Sequence, residues 1–141
     1  MSISAKLRKT VTDRANKLCE YCLMPLDFSH DPFEVEHIIP IAQNGKTISS
    51  NLALACRGCN LFKSDKIEGF DAVSDETVRL FHPRKDAWSE HFGWAKDFTI
   101  VIGLTPLGRV TVEVLKLNRQ GLINQREMLH KFGKHPPSEN G

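Results

Sequence analysis

The stretch that decides the fold is residues 19–63, which read CEYCLMPLDFSHDPFEVEHIIPIAQNGKTISSNLALACRGCNLFK. It begins with the pair Cys19 and Cys22 and ends just after the pair Cys56 and Cys59, and 33 residues separate the two pairs. Two C-x-x-C pairs are typical of a tetrahedral zinc site with four thiolate ligands. Four thiolates leave no open position on zinc for water, so we expect a structural site, and any catalysis has to come from other residues.

The alternatives for these cysteines are a pair of disulfides, which require an oxidising compartment, or a role as small buried apolar residues. The first ten residues contain no continuous apolar stretch and no small-residue cleavage site, so we find no signal peptide. We therefore expect a cytoplasmic protein with reduced thiols, which favours zinc over disulfides.

Size and composition are those of a soluble globular chain that forms one domain. The 141 residues are 40% hydrophobic and 26% charged, and no apolar run approaches the roughly 18–20 residues of a membrane span, so no membrane is expected as a partner. The net charge is only +2, but residues 65–97 carry −3 and residues 109–135 carry +4. This asymmetry favours a basic C-terminal face for an anionic partner, with an ordinary solvated helix surface as the alternative.

Hydrophobic periodicity and turn residues predict a compact unit in the first half of the chain. Ser4 can cap a first helix, and Asn44-Gly45 indicates a turn with positive φ. The predicted elements are a helix over residues 4–18, a strand over 33–39, a strand over 52–55 and a helix from 56 to about 66.

The second half is predicted as an extension of this core. Residues 64–97 are typical of a loop-rich connection, residues 98–104 of a strand, and Thr105-Pro106 of a helix start. The helical pattern continues to about residue 132, with Gly121 as the point that weakens or interrupts it. Trp88, Phe92 and Trp94 are expected to be packing anchors.

The fold class is therefore α+β, with an N-terminal helix and a C-terminal strand plus helical extension. We divide the chain into residues 1–66 as the zinc-stapled core, 67–133 as an extension packed on it within one domain, and 134–141 as a disordered tail.

The segment between the cysteine pairs carries residues that suit phosphodiester hydrolysis. Histidine, here His37, can activate water near neutral pH because its ordinary pKa is about 6.5. Glu36 and Asn60 offer the oxygen ligands that Mg²⁺ or Mn²⁺ prefers, and such an ion can stabilise charge on a phosphate.

These residues together resemble the HNH endonucleases, which share the ββα-metal fold. The resemblance runs from about Arg14 to Lys63 and rests on C-x2-C, Glu-His-Ile-Ile-Pro and Ser-Asn-Leu-x-Leu-x-Cys-x2-Cys-Asn-x2-Lys. It is closest to bacterial members with a four-cysteine zinc site. Two positions depart from the common pattern, because aspartate is frequent in place of Glu36 and many members carry histidine in place of Asn60.

The resemblance implies a role for each matching residue. His37 would be the general base, and Glu36 and Asn60 would hold the catalytic metal. Asn51 corresponds to the central asparagine, which braces the loop and holds the histidine strand, and it completes the candidate catalytic pair with His37. Lys63 stands where a basic residue commonly faces phosphate.

The predicted substrate is DNA, contacted through phosphate by basic side chains. The candidates are Arg57, Lys63, Lys66 and Arg84, and an ordinary soluble surface is the alternative for them. One site per chain cuts one strand, so nicking by a monomer and double-strand cleavage by a homodimer are both compatible with the sequence.

One feature does not fit this scheme directly. Strict strand alternation puts Glu36 and His37 on opposite faces, so the strand has to bulge, twist or end there if both serve one site. Two other functions remain open. One is a non-catalytic, zinc-stabilised nucleic-acid-binding module, and the other is a protein-interaction domain that uses residues 88–94.

Overall fold

The structure, a computed structural model, describes residues 3–138, and these form two compact units. The first unit comprises residues 3–67 together with 82–86, and the second comprises residues 68–81 together with 87–138. Both contain helices and small antiparallel sheets, which confirms the predicted α+β class. Among the described residues, no helix is both long and apolar enough to cross a membrane. The predicted packing of the extension on the core as one domain stays a prediction.

The chain of the first unit begins with helix α1, Ala5–Arg14. Ser4 caps it as predicted, because its hydroxyl accepts a hydrogen bond of 3.1 Å from the Leu7 amide. The helix ends four residues before the predicted boundary. Asn16 and Lys17 have φ of 54° and 57°, which turns the chain out of the helix and into the first cysteine pair.

The centre of the first unit is the predicted strand–strand–helix motif. Strands β1, Glu34–His37, and β2, Leu52–Ala55, pair in antiparallel register with Glu36 opposite Ala53, and helix α2, Arg57–Lys63, follows. The apolar core lies between α1 and the strands and consists of Val11, Ala15, Leu52 and Leu54. This arrangement confirms the ββα core, although β1 and α2 are shorter than predicted.

The connection from β1 to β2 folds tightly back on the end of β1. Asn44 has φ of 68°, as the Asn-Gly turn predicted. At Gly45, a Cβ atom would lie 1.6 Å from the Ile39 carbonyl oxygen, so only glycine fits there.

The second unit contains more regular structure than its sequence indicated. Its strands are β3 (Glu68–Asp71), β4 (Glu76–Arg79), β5 (Phe92–Ala95) and β6 (Ile100–Gly103). Its helices are α3 (Trp88–His91), α4 (Pro106–Val114) and α5 (Gln120–Lys131). Strands β3 and β4 form one antiparallel hairpin and β5 and β6 another. The prediction of a loop-rich connection over 64–97 is therefore wrong, because three four-residue strands lie in it.

The two long helices of the second unit are separated by a sharp turn. Thr105 caps α4 as predicted, accepting a hydrogen bond of 3.2 Å from the Gly108 amide. The helical run breaks at Lys116, where φ is 49°. Gly121 lies inside α5, so the predicted interruption at this glycine is wrong.

Aromatic rings form much of the core of the second unit. The Trp88 ring lies 5.0 Å from that of Phe92 and 5.3 Å from that of Trp94, which confirms their prediction as packing anchors. His135 belongs to the stretch 134–141 that was predicted to be disordered. It is buried, packs edge-on against Trp94, and its Nε2 lies 2.8 Å from the Phe98 carbonyl oxygen. Residues 139–141 of that stretch lie outside the described residues.

Candidate active site

The four cysteines form a buried cluster in the first unit. Their sulfur atoms all lie within 4.8 Å of one another, and none of the four forms a disulfide. Burial raises the pKa of the Cys19 thiol well above its ordinary value, so four thiolates at this position require a cation among them. Four sulfur ligands suit zinc, and the cluster is therefore a candidate structural zinc site.

Each cysteine pair is shaped by the local backbone. Around the first pair, the Cys19 amide donates to the Met24 carbonyl and the Leu23 amide donates to the Cys19 carbonyl, which closes a tight turn. The second pair includes the start of α2, where the Asn60 amide donates to the Cys56 carbonyl. A metal held by both pairs would therefore fix the first turn of α2 against the first cysteine loop.

Asn51 braces the end of β1 with both ends of its amide. Its Oδ1 accepts from the Ile39 amide at 2.9 Å, and its Nδ2 donates to the carbonyl oxygens of Ile39, at 3.0 Å, and Lys46, at 2.9 Å. The Asn51 side chain thus holds both sides of the loop that follows His37, which is the geometry expected for the central asparagine.

His37 lies at the last position of β1 and is partly buried. Its Nε2 lies 2.8 Å from the Thr47 hydroxyl oxygen, a contact that the sequence did not indicate. Burial lowers the pKa of His37, and the positive charge of Lys63 acts in the same direction. The imidazole is therefore predominantly neutral at neutral pH, as a general base requires.

Glu36 is buried, with 6% of its surface exposed, and both of its carboxylate oxygens have partners. Oε1 accepts from the Tyr21 hydroxyl, and Oε2 accepts from the Lys63 ammonium group at 3.0 Å. Burial raises the pKa of Glu36, while the charge of Lys63 and the Tyr21 hydroxyl act against this shift. Tyr21 was missed in the sequence, because nothing in a C-x-x-C spacing says where the intervening side chains point.

Asn60 lies on α2 and faces β1. Its Nδ2 donates to Glu34, so the amide oxygen is the atom that can serve as a metal ligand. Glu34 is the second acidic side chain of β1 near the site and was also missed. Strand alternation was the available signal, since residues 34 and 36 share one face of a strand.

One cavity of about 260 Å³ brings the predicted residues together. Glu36, His37 and Asn60 line it, with Pro40, Ile41 and Ser64. Glu36 and His37 do alternate along β1, but the strand ends at His37, which was one of the three ways expected to reconcile them.

The donor set at this cavity fits a hard divalent cation. Glu36 offers a carboxylate and Asn60 an amide oxygen, the ligand types that Mg²⁺ and Mn²⁺ prefer. A carboxylate oxygen carries more than one lone pair, so an oxygen that already accepts one hydrogen bond can still bind an ion.

The four residues predicted to contact DNA fall into two groups. Arg57 and Lys66 are exposed, as phosphate contact requires. Lys63 is not available in this conformation, because it is buried to 1% exposure and pairs with Glu36. Arg84 is partly buried and forms an ion pair with Glu20, and burial lowers its pKa to about 10. Lys63 and Arg84 are thus paired with carboxylates of the first unit, and their contact with DNA stays a prediction.

The basic excess of residues 109–135 is also partly neutralised within the second unit. Arg109 forms a two-point ion pair with Asp71, and Arg126 is fully buried. Lys131 lies 3.7 Å from Glu127. Arg109 and Lys131 are therefore paired with carboxylates and Arg126 is buried, which favours the alternative of an ordinary helix surface.

Comparison with known families agrees with this geometry. The family model described as HNH endonuclease matches residues 19–66, the segment that contains both cysteine pairs, both strands and α2. No curated protein and no solved structure gives a significant match to the chain.

Proposed function

We propose that this protein is a metal-dependent nuclease that hydrolyses phosphodiester bonds in DNA, because residues 19–66 match the HNH endonuclease family model. The observation that carries the proposal is the meeting of His37, Glu36 and Asn60 at one cavity, in the same unit as the four-cysteine cluster. A divalent cation bound there would supply stabilisation of the negative charge that develops on the phosphate.

In this proposal His37 is the general base. This role needs the tautomer in which Nε2 carries the hydrogen and donates a hydrogen bond to the Thr47 hydroxyl oxygen, 2.8 Å away, so that Nδ1 is left to accept a proton from the attacking water. Asn51 is a positioning residue, because it holds the backbone on both sides of the His37 loop.

Glu36 and Asn60 would hold Mg²⁺, Mn²⁺ or a similar ion through oxygen atoms. The cysteine cluster would hold a separate Zn²⁺ with a structural role. The two metals then have different tasks, and only the oxygen-bound one takes part in hydrolysis.

DNA would be held through its phosphates rather than read by sequence. Arg57 and Lys66, both exposed on or just after α2, are the side chains that we assign to this task. One site per chain cuts one strand, so the expected product is a nick, and two chains acting together would cut both strands.

Conversion of supercoiled plasmid to nicked or linear DNA tests the proposal. The comparison includes wild-type protein, His37→Ala and, as a matched control, His30→Ala, which removes an exposed histidine elsewhere in the first unit. We expect cleavage with Mg²⁺ or Mn²⁺ that the His30 variant retains and that His37→Ala lowers by at least about 100-fold.

Folding has to be equal for this comparison, so zinc content and circular dichroism are measured for all three proteins. Metal-dependent cleavage that is undiminished in a folded His37→Ala variant would contradict the role of His37. DNA binding without cleavage under any divalent ion would instead favour a zinc-stabilised nucleic-acid-binding module.

A further inference from the structure

The two oxygen atoms of Glu36 are held by residues from two different parts of the first unit. The Lys63 ammonium group comes from the end of α2, and the Tyr21 hydroxyl comes from the loop of the first cysteine pair. Tyr21 and Lys63 are each only 1% exposed. The orientation of the Glu36 carboxylate is therefore set by protein contacts, with little competition from water.

Tyr21 is tied to the cysteine cluster by its position in the chain. It lies between Cys19 and Cys22, whose sulfur atoms belong to the cluster, and the Cys22 amide points at the Cys19 sulfur, at 3.5 Å. The neighbouring Glu20 amide donates to the Leu54 carbonyl, which fastens this loop to β2. Any change in the spacing of the sulfur atoms moves the backbone that carries the Tyr21 ring.

We propose that Tyr21 is a positioning residue that transmits the geometry of the four-cysteine site to Glu36, so that the metal in the cysteine site sets the affinity of the catalytic site for its divalent cation. This inference rests on the proposed function, because it takes Glu36 as a ligand of that cation. A hydrogen bond that orients a metal ligand typically contributes 10- to 100-fold to metal affinity or activity.

The test is direct binding of Mn²⁺ without DNA, measured by electron paramagnetic resonance of the free ion, for wild-type protein and Tyr21→Phe. Removing one hydroxyl keeps the ring, and zinc content shows whether the cysteine site is intact. We expect Tyr21→Phe to keep its zinc and to bind Mn²⁺ about 10-fold more weakly. Asn60→Ala shows the effect of losing a ligand itself, and His30→Ala the effect of a remote change.

A second measurement needs no substitution and covers the case in which Tyr21→Phe does not fold. Wild-type protein is loaded with Cd²⁺ in place of Zn²⁺, because the larger ion spreads the four sulfur atoms. We expect the Cd²⁺ form to bind Mn²⁺ more weakly than the Zn²⁺ form, because the hydrogen bond that orients Glu36 is displaced.

The outcomes separate this inference from the proposed function. Unchanged Mn²⁺ affinity in a zinc-loaded Tyr21→Phe overturns the role of Tyr21, and unchanged affinity in the Cd²⁺ form overturns the coupling of the two metal sites. Neither result contradicts the nuclease proposal. A wild-type protein that binds no Mn²⁺ and cleaves no DNA overturns both.

Discussion

The two compact units use their buried polar groups in different ways. The first unit buries four cysteines and the charged pair of Glu36 and Lys63 next to a small apolar core. In the second unit the guanidinium of Arg126 is fully buried beside aromatic rings. Its nitrogens donate to the backbone carbonyls of Thr99 and Leu117, at 3.0 and 2.7 Å, and the charge lies over the Trp94 ring.

This comparison distinguishes buried polar groups that only stabilise the fold from those that are placed to take part in a reaction. In the second unit the Arg126 guanidinium donates to two backbone oxygens and to the side-chain oxygen of Asn118, and these contacts are structural. In the first unit the buried carboxylate of Glu36 lines a cavity together with the partly buried His37, and the burial of this charge has a cost in desolvation. We infer that the buried charges lower the stability of the first unit, which therefore needs a bound metal to fold. The second unit is stabilised by side-chain packing.

Removal of the cysteine-bound metal tests this contrast with the largest expected effect. Cys19→Ser or zinc chelation should unfold the first unit, because a structural zinc contributes on the order of 10 kcal/mol in small metal-dependent domains. Hydrogen exchange at the Leu54 and Ile38 amides reports on the first unit. Both tryptophans of the chain, Trp88 and Trp94, lie in the second unit and report on it by fluorescence.

We expect exchange in the first unit to lose its protection while the tryptophan emission stays that of a folded protein. Re-addition of Zn²⁺ is the control for reversibility. A red shift of the emission together with the loss of protection would contradict separate stabilisation of the two units.

Breaking the buried charge pair should have the next largest effect. Lys63→Met leaves the Glu36 carboxylate buried and without its cation, which should lower the free energy of unfolding of the first unit by about 3–5 kcal/mol. Urea-dependent hydrogen exchange measures this change. Lys6→Met, at an exposed position of α1, is the control and should change it by less than about 0.5 kcal/mol. An equal effect of the two substitutions would contradict the importance of the pair.

A smaller effect is expected from a buried polar contact of the second unit. The Thr111 hydroxyl accepts from the Phe81 amide at 2.9 Å and donates to the Leu107 carbonyl at 2.7 Å. Thr111→Val keeps the shape but removes both bonds, so we expect a loss of about 1–3 kcal/mol in urea unfolding followed by tryptophan fluorescence. Thr77→Val, at an exposed position, should have little effect, and a larger loss there than at Thr111 would count against this account.

The smallest effect concerns pH. The Arg109 guanidinium and Ser74 hold the pKa of Asp71 well below its ordinary value of about 3.9. A lowered folded-state pKa contributes stability above the unfolded-state pKa, and this contribution is lost as pH falls below about 4. The melting temperature of Asp71→Asn should therefore lie below that of the wild type at pH 7, with a gap that narrows toward pH 2. Glu76→Gln, at an exposed position of the same hairpin, is the control, and an equal pH-dependent gap in it would exclude a specific role for Asp71.

The features that the sequence predicted are those fixed by covalent spacing. Two C-x-x-C pairs can hardly bind one metal without forming two turns, and Asn44-Gly45 favours one backbone conformation. The motif pointed to His37, Asn51 and Asn60; the structure places His37 and Asn60 at one cavity and Asn51 against the loop after His37, while their roles stay predictions.

The features that it did not predict depend on tertiary packing. Lysine is usually found at the surface, and only the tertiary fold buries Lys63 beside Glu36. Strands β3, β4 and β5 are each four residues long, which is too short for a clear alternating pattern. The helix break lies at Lys116, which adopts a positive φ just after the end of α4. Gly121 is tolerated inside α5.

Chemical rescue tests the central claim most directly, because it asks whether the His37 imidazole itself takes the proton. His37→Gly leaves space for free imidazole, and nicking of supercoiled plasmid by this variant is measured with Mn²⁺ in the presence and absence of imidazole. We expect negligible cleavage without imidazole and a concentration-dependent recovery with it, while DNA binding stays unchanged. Cleavage by His37→Gly at the wild-type rate without imidazole would contradict the role of His37 as the general base.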